Sequence, residues 1–194
     1  MTTIRVNPAS VKSYGNSATA IFASVSHDLQ SMVTETVEVH YFGPNSVQFK
    51  TECGRLASEF ANALHKDMAA IADAVRLSTS NIATALGGTT ISIVVDNKPI
   101  TPPAPKAVDY VDVNTEALEG LVPTVNKHFD AIRSGLDKHL ADLKATDWQG
   151  QAKESAVGAV STFTNSAKGR CDEAQKSIVK FITDQVNAVK AADK

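Results

Sequence analysis

Aromatic residues are scarce in this sequence: they make up 6% of its 194 residues, and Trp148 is the only tryptophan. A sandwich core filled with rings is therefore not expected, and abundant alanine, serine and threonine favour closely packed helices. An excess of either charge is missing too. The formal net charge is −2, with 6 basic and 7 acidic residues in 1–87 and 11 of each in 114–194, so a nucleic-acid partner has no electrostatic support. No apolar run approaches the roughly 20 residues of a membrane span, and Met1-Thr2-Thr3-Ile4-Arg5 leads into polar sequence, so no cleaved signal peptide is expected. Two cysteines make no disulfide framework. Cys53 and Cys171 both fall on apolar helical stripes, where cysteine behaves as a small hydrophobe.

Catalytic constellations are missing as well, and the chain reads as a non-enzyme. No two of His27, His40, His65, His128 and His139 stand at the i, i+4 spacing that puts two metal ligands on one helix face, so they read as surface or half-buried helical residues. The serines are scattered through Ala/Ser-rich helices with no base and orienting group fixed nearby. Gly87-Gly88 follows no strand and precedes no Lys-Ser/Thr, so it is not a phosphate loop. Neither a cofactor nor a metal is implied.

What is present is one pattern written twice. Val11, Tyr14, Ala18, Phe22, Val25, Leu29 and Val33 recur in steps of three and four, the mark of one buried helical face. Asn7 and Pro8 suit the cap and first turn of that helix. After Tyr41-Phe42-Gly43 the stripe resumes at Phe49, Cys53, Leu56, Phe60, Leu64, Ile71, Val75 and Ile82. Adding 107 to each position carries the whole set, without a gap, onto Leu118, Leu121, Val125, Phe129, Ile132, Leu136 and Leu140. It continues onto Ala156, Val160, Phe163, Ala167, Cys171, Ile178, Ile182 and Val189. The same offset carries Tyr41 onto Trp148 and Gly43 onto Gly150. Unrelated hairpins would drift out of phase, so this is an internal duplication. Each copy reads as helix, corner, helix, with an aromatic anchor and a glycine free of Cβ strain at the turn. Pro123 interrupts the third stripe, which predicts a kink or a late helix start there.

Between the copies, the β-branched run from Thr89 to Val95 reads as a short strand, and Thr101-Pro102-Pro103-Ala104-Pro105 as extended chain. The organisation expected is a first hairpin over 1–87, an extended linker over 88–113 and a second hairpin over 114–194. The fold class is all-α: a four-helix bundle of two tandem hairpins packed antiparallel. A linker reaching ~80 Å when extended permits the head-to-tail arrangement. Because each hairpin already has a partner for its stripe, a monomer is expected.

Two hairpins, each with an aromatic-Xaa-Gly corner (Trp148-Gln149-Gly150 and Tyr41-Phe42-Gly43), resemble the WXG-motif, Esx-type family of type VII secretion. The resemblance covers about 7–87 and 114–194. It implies a single-chain counterpart of the family's antiparallel pairs, exported from actinobacteria and related Gram-positive bacteria without a cleaved signal peptide. Its partners would be the secretion machinery or a co-secreted protein. The motif corners are Tyr41, Gly43, Trp148 and Gly150, and Trp148 is expected to lie partly open at an exposed pole. Many family pairs carry a Tyr-three residues-acid tail. Here Val189 and Asp193 keep its place and spacing, with valine for tyrosine. Export as a substrate is one implied function, and a cytoplasmic adaptor or chaperone for another secreted protein or toxin is the alternative. A membrane-active bundle has little support from weakly charged faces and modest apolar stripes.

Overall fold

The computed structural model describes residues 3–88 and 90–194. Met1 and Thr2 of the leading segment, and Thr89 at the start of the expected connector strand, lie outside it. Among the described residues four long helices form: α1 (Pro8–Glu38), α2 (Pro44–Leu86), α3 (Thr115–Ala145) and α4 (Gln151–Ala192). Four two-residue strands join them: β1 (Arg5–Val6), β2 (Tyr41–Phe42), β3 (Asp112–Val113) and β4 (Trp148–Gln149). The fold is an all-α four-helix bundle with two short antiparallel strand pairs. Each stripe position named above is buried, except Leu56, Phe60, Ile82, Leu140 and Val189, which are half-buried.

Two compact units divide the chain, and each draws on both repeats. Unit 1 comprises Met1–Ser26, Leu64–Lys98 and Arg133–Lys168. Here the corner of the second repeat meets the open end of the first. β1 pairs antiparallel with β4, Val6 opposite Trp148, and the Asn7 amide donates to the Asp147 carbonyl at 2.9 Å. The Asn7 side chain then caps α1, accepting from the Ala9 and Ser10 amides. Unit 2 comprises His27–Ala63, Pro99–Ile132 and Gly169–Lys194, and repeats the construction with the roles exchanged. β2 pairs with β3, Tyr41 opposite Val113; the Asn114 amide donates to the His40 carbonyl at 3.0 Å; and Asn114 caps α3 through the Ala117 amide. Gly43 and Gly150 have φ of 139° and 119°, a region costly to any side chain, which is why both corners end in glycine.

Two expectations require correction. Pro123 causes no late start, because α3 begins at Thr115 and runs through it. The ring sits on the exposed face, where water reaches the carbonyl that the missing amide leaves free. The run from Ile91 to Val95 forms no strand ladder. It lies on helices, which offer no strand edge, and hydroxyls take its amides instead: Ile91 donates to Thr79 Oγ1 and Val94 to Thr19 Oγ1. Gly15 makes room for it, since a Cβ there would sit 3.0 Å from the Ser92 carbonyl. In unit 2 the connector is gripped by Asn62, whose amide group bonds both the Ile100 carbonyl and the Ile100 amide, at 2.9 and 2.8 Å. The paired strand of the connector is β3, at its far end.

Candidate functional site

The two corners differ in what surrounds them. In unit 1 the Trp148 indole is 1% exposed, which overturns the expectation of a partly open tryptophan. β1 pairs along it, and Val6, Pro8, Ile82 and the Gly87-Gly88 turn leave a void of about 50 Å³ beside it. Its Nε1 is buried without a hydrogen-bond partner. Trp148 is thus a packing anchor, and its indole offers no surface to a partner.

In unit 2 Tyr41 is also buried, 5% exposed, and its hydroxyl accepts a hydrogen bond from Gln185 Nε2 at 2.9 Å. Burial raises its pKa, and the Gln185 bond opposes the shift. Around it, however, lies an open groove of about 700 Å³. Tyr41, Phe42 and Gly43 form one wall, Val111 and Val113 of the connector another, and Gln185, Ala188, Val189, Ala192 and Asp193 of the last helical turns a third. Val111 is 73% exposed at its rim. Lys50, itself buried, places Nζ 4.6 Å above the Phe42 ring, and desolvation lowers its pKa. A second groove shares Asn45, Gln185 and Ala188 with the first, and its wall includes the stacked rings of Phe49 and Phe181, 5.4 Å apart.

Of the residues singled out from sequence, Tyr41, Gly43, Val189 and Asp193 therefore line one groove, while Trp148 and Gly150 belong to the other unit. The contributions of Val111, Val113 and Gln185 were missed. The offset holds a signal for the first two: Ile4 and Val6 stand 107 residues before them, and Ile4 lies against Gly150 as Val111 lies against Gly43.

The histidines also depart from expectation. His139 is fully buried and His65 nearly so. The Tyr14 hydroxyl lies 2.7 Å from His139 Nε2, and Ser26 Oγ lies 2.8 Å from His65 Nε2. The Nδ1 atom of His139 is buried with no partner. Burial pulls the His139 pKa down to about 4 against the opposing pull of Asp142, and also lowers that of His65. The Tyr14 hydroxyl is pushed well up by burial, with Asp142 adding to it. Beside this pair Ser17 donates to Asp142 at 2.6 Å and Lys138 bonds the same carboxylate, so Asp142 is held in place between them. An open pocket beside the grouping is lined by Ser10, Ser13, Tyr14, Ser17, Lys138 and Asp142. In unit 2 His128 bridges two carboxylates, Asp28 at 2.9 Å and Glu35 at 2.7 Å. Among the described residues, no cluster of three His, Cys, Asp or Glu side chains is arranged to hold a metal ion, and no helix is long and apolar enough to cross a membrane.

Comparison with protein-family models, with curated proteins and with solved structures finds no match.

Proposed function

We propose that this chain is a non-enzymatic type VII secretion substrate or effector of the Esx (WXG) type, a single-chain pseudo-dimer that acts through protein–protein contact. The observation that carries the reading is the groove in unit 2. It joins the aromatic-Xaa-Gly corner of one repeat to the Val189–Asp193 tail of the other. A composite of corner and tail is what the resemblance implies for recognition by the export machinery, and here both parts meet on one apolar, accessible surface. The recognised corner in this reading is Tyr41-Phe42-Gly43, with Trp148 kept as a structural anchor.

One observation favours the alternative, a cytoplasmic adaptor or chaperone that holds a co-secreted protein. Val189, where a signal tyrosine would stand, is half-buried and carries no hydroxyl. Fractionation of the native host, with and without the secretion ATPase, separates the two. The substrate reading expects the protein in culture filtrate only when the ATPase is present. Retention in the cytoplasm with the machinery intact defeats it and supports the adaptor.

A further inference from the structure

The duplication provides an internal reference, because contacts in one unit have counterparts 107 residues away in the other. Three of these counterparts differ in kind. In unit 1 Tyr14 bonds His139 at 2.7 Å in the core; the equivalent residues of unit 2, Leu121 and Met32, are buried and apolar. At the strand clamp Arg5 faces Asp147 at 3.3 Å in unit 1, whereas Asp112 faces His40 at 3.0 Å in unit 2. The acidic member of the clamp thus sits on the corner in unit 1 and on the short strand before the helix in unit 2. Further along, Gly135 leaves space for Ile21 and Val25, since a Cβ there would lie 3.6 and 2.9 Å from their methyl groups. The equivalents of Gly135 and Ile21 in unit 2 are Asp28 and His128, which bond at 2.9 Å.

Pairing a first repeat with another first repeat in the same geometry would set Tyr14 against Met32, Arg5 against His40 and Ile21 against Asp28. Pairing two second repeats would set His139 against Leu121 and Asp112 against Asp147. Each like pairing strands a buried polar group against hydrocarbon or brings like charges together, and both are disfavoured. Only a first repeat with a second satisfies every position. We propose that Tyr14/His139, Arg5/Asp147, His40/Asp112, Ile21/Gly135 and Asp28/His128 form a pairing code by which each repeat recognises the other and rejects itself. The partner that fits the apolar face of a first repeat is then a second repeat, from the same chain or another copy. The buried Tyr14–His139 pair contributes most, since exposed clamp charges are individually weak.

The test starts from the full chain. A protease site inserted between Lys106 and Ala107, both exposed, allows the folded protein to be cut into its repeats. The two pieces are unfolded in urea, refolded together in equal amounts and weighed by native mass spectrometry. First–second pairs should exceed like pairs by about tenfold or more over chance, the factor expected from one stranded buried polar group. A chain carrying Tyr14→Leu, His139→Met, Arg5→Asp and Asp147→His copies the unit 2 residues into unit 1, and its preference should fall by about fivefold or more, with the remainder resting on Ile21/Gly135 and Asp28/His128. Chance pairing in the wild type, or an undiminished preference in the fourfold variant, overturns the proposal. If the cut pieces do not re-pair, urea unfolding of the uncut chain decides. Tyr14→Leu and His139→Met should each lower the midpoint more than the two together. A double variant no more stable than the more stable single also overturns it.

Discussion

Acidification should unlock unit 1 through His139. In the folded chain its pKa is about 4, against an ordinary value of 6.5. As pH falls below 6.5 the unfolded chain takes up the proton first, because burial in the folded core disfavours the charged ring. The contribution of His139 is therefore fully present above pH 6.5 and is lost progressively down to pH 4. By linkage the loss is about 2 kcal/mol at pH 5 and about 3 kcal/mol at pH 4. His65, also lowered by burial, adds in the same direction. Burial works against the Asp142 carboxylate, but its bonds to Lys138 and Ser17 outweigh this and hold its pKa down. Its contribution therefore survives through most of that window. The assay is urea unfolding followed by Trp148 fluorescence, a probe buried in the same unit. Wild type is compared between pH 7.5 and 4.5 with the Tyr14→Leu/His139→Met variant, which carries the pair used at the same register in unit 2. Wild type should lose about 2–3 kcal/mol more than the variant across that range. Equal losses in the two proteins would refute the reasoning.

Three further outcomes are expected. Gly43→Ala and Gly150→Ala should each cost about 1–2 kcal/mol by thermal or urea unfolding, since both positions have positive φ. Asn62→Ala should cost roughly 1–3 kcal/mol, because it strips both hydrogen bonds from Ile100, and it should speed limited proteolysis of the connector near Lys106. Trp148→Phe strands no partner, since Nε1 has none. It should cost only the lost packing, about 1–2 kcal/mol, and leave the circular dichroism spectrum helical.

The bundle was legible in the sequence because burial at helical period leaves a trace that a duplication doubles. The linker's reach of ~80 Å only permitted the head-to-tail arrangement; the strand pairs β1–β4 and β2–β3 are what set each corner against the open end of the other repeat, with Tyr41 beside Val189 and Asp193 in unit 2. The clamps were not legible, because a two-residue strand has no periodicity to read. Only the recurrence of Val6-Asn7 at Val113-Asn114 marks them. His139 was missed because Leu136 can be followed on the core face by residue 139 or 140. The pattern takes Leu140, whereas the chain buries His139 and Leu143 and leaves Leu140 half-buried. The closure of Trp148 depends on β1 and on the Gly87-Gly88 turn, which fold over it from distant parts of the sequence. The strap of 90–100 read as a strand because its β-branched run has no helical period, but its acceptors, Thr19 and Thr79, look like ordinary helical threonines until something lies across them.

The measurement closest to the central claim compares export of variants altered on the groove surface alone. Val111→Asp and Ala188→Glu both change exposed groove residues and should leave helicity and the urea midpoint unchanged. In the native host with the secretion machinery intact, the account predicts wild type and Trp148→Phe in culture filtrate, with the two groove variants folded but retained inside the cell. Export of both folded groove variants at wild-type levels would contradict it.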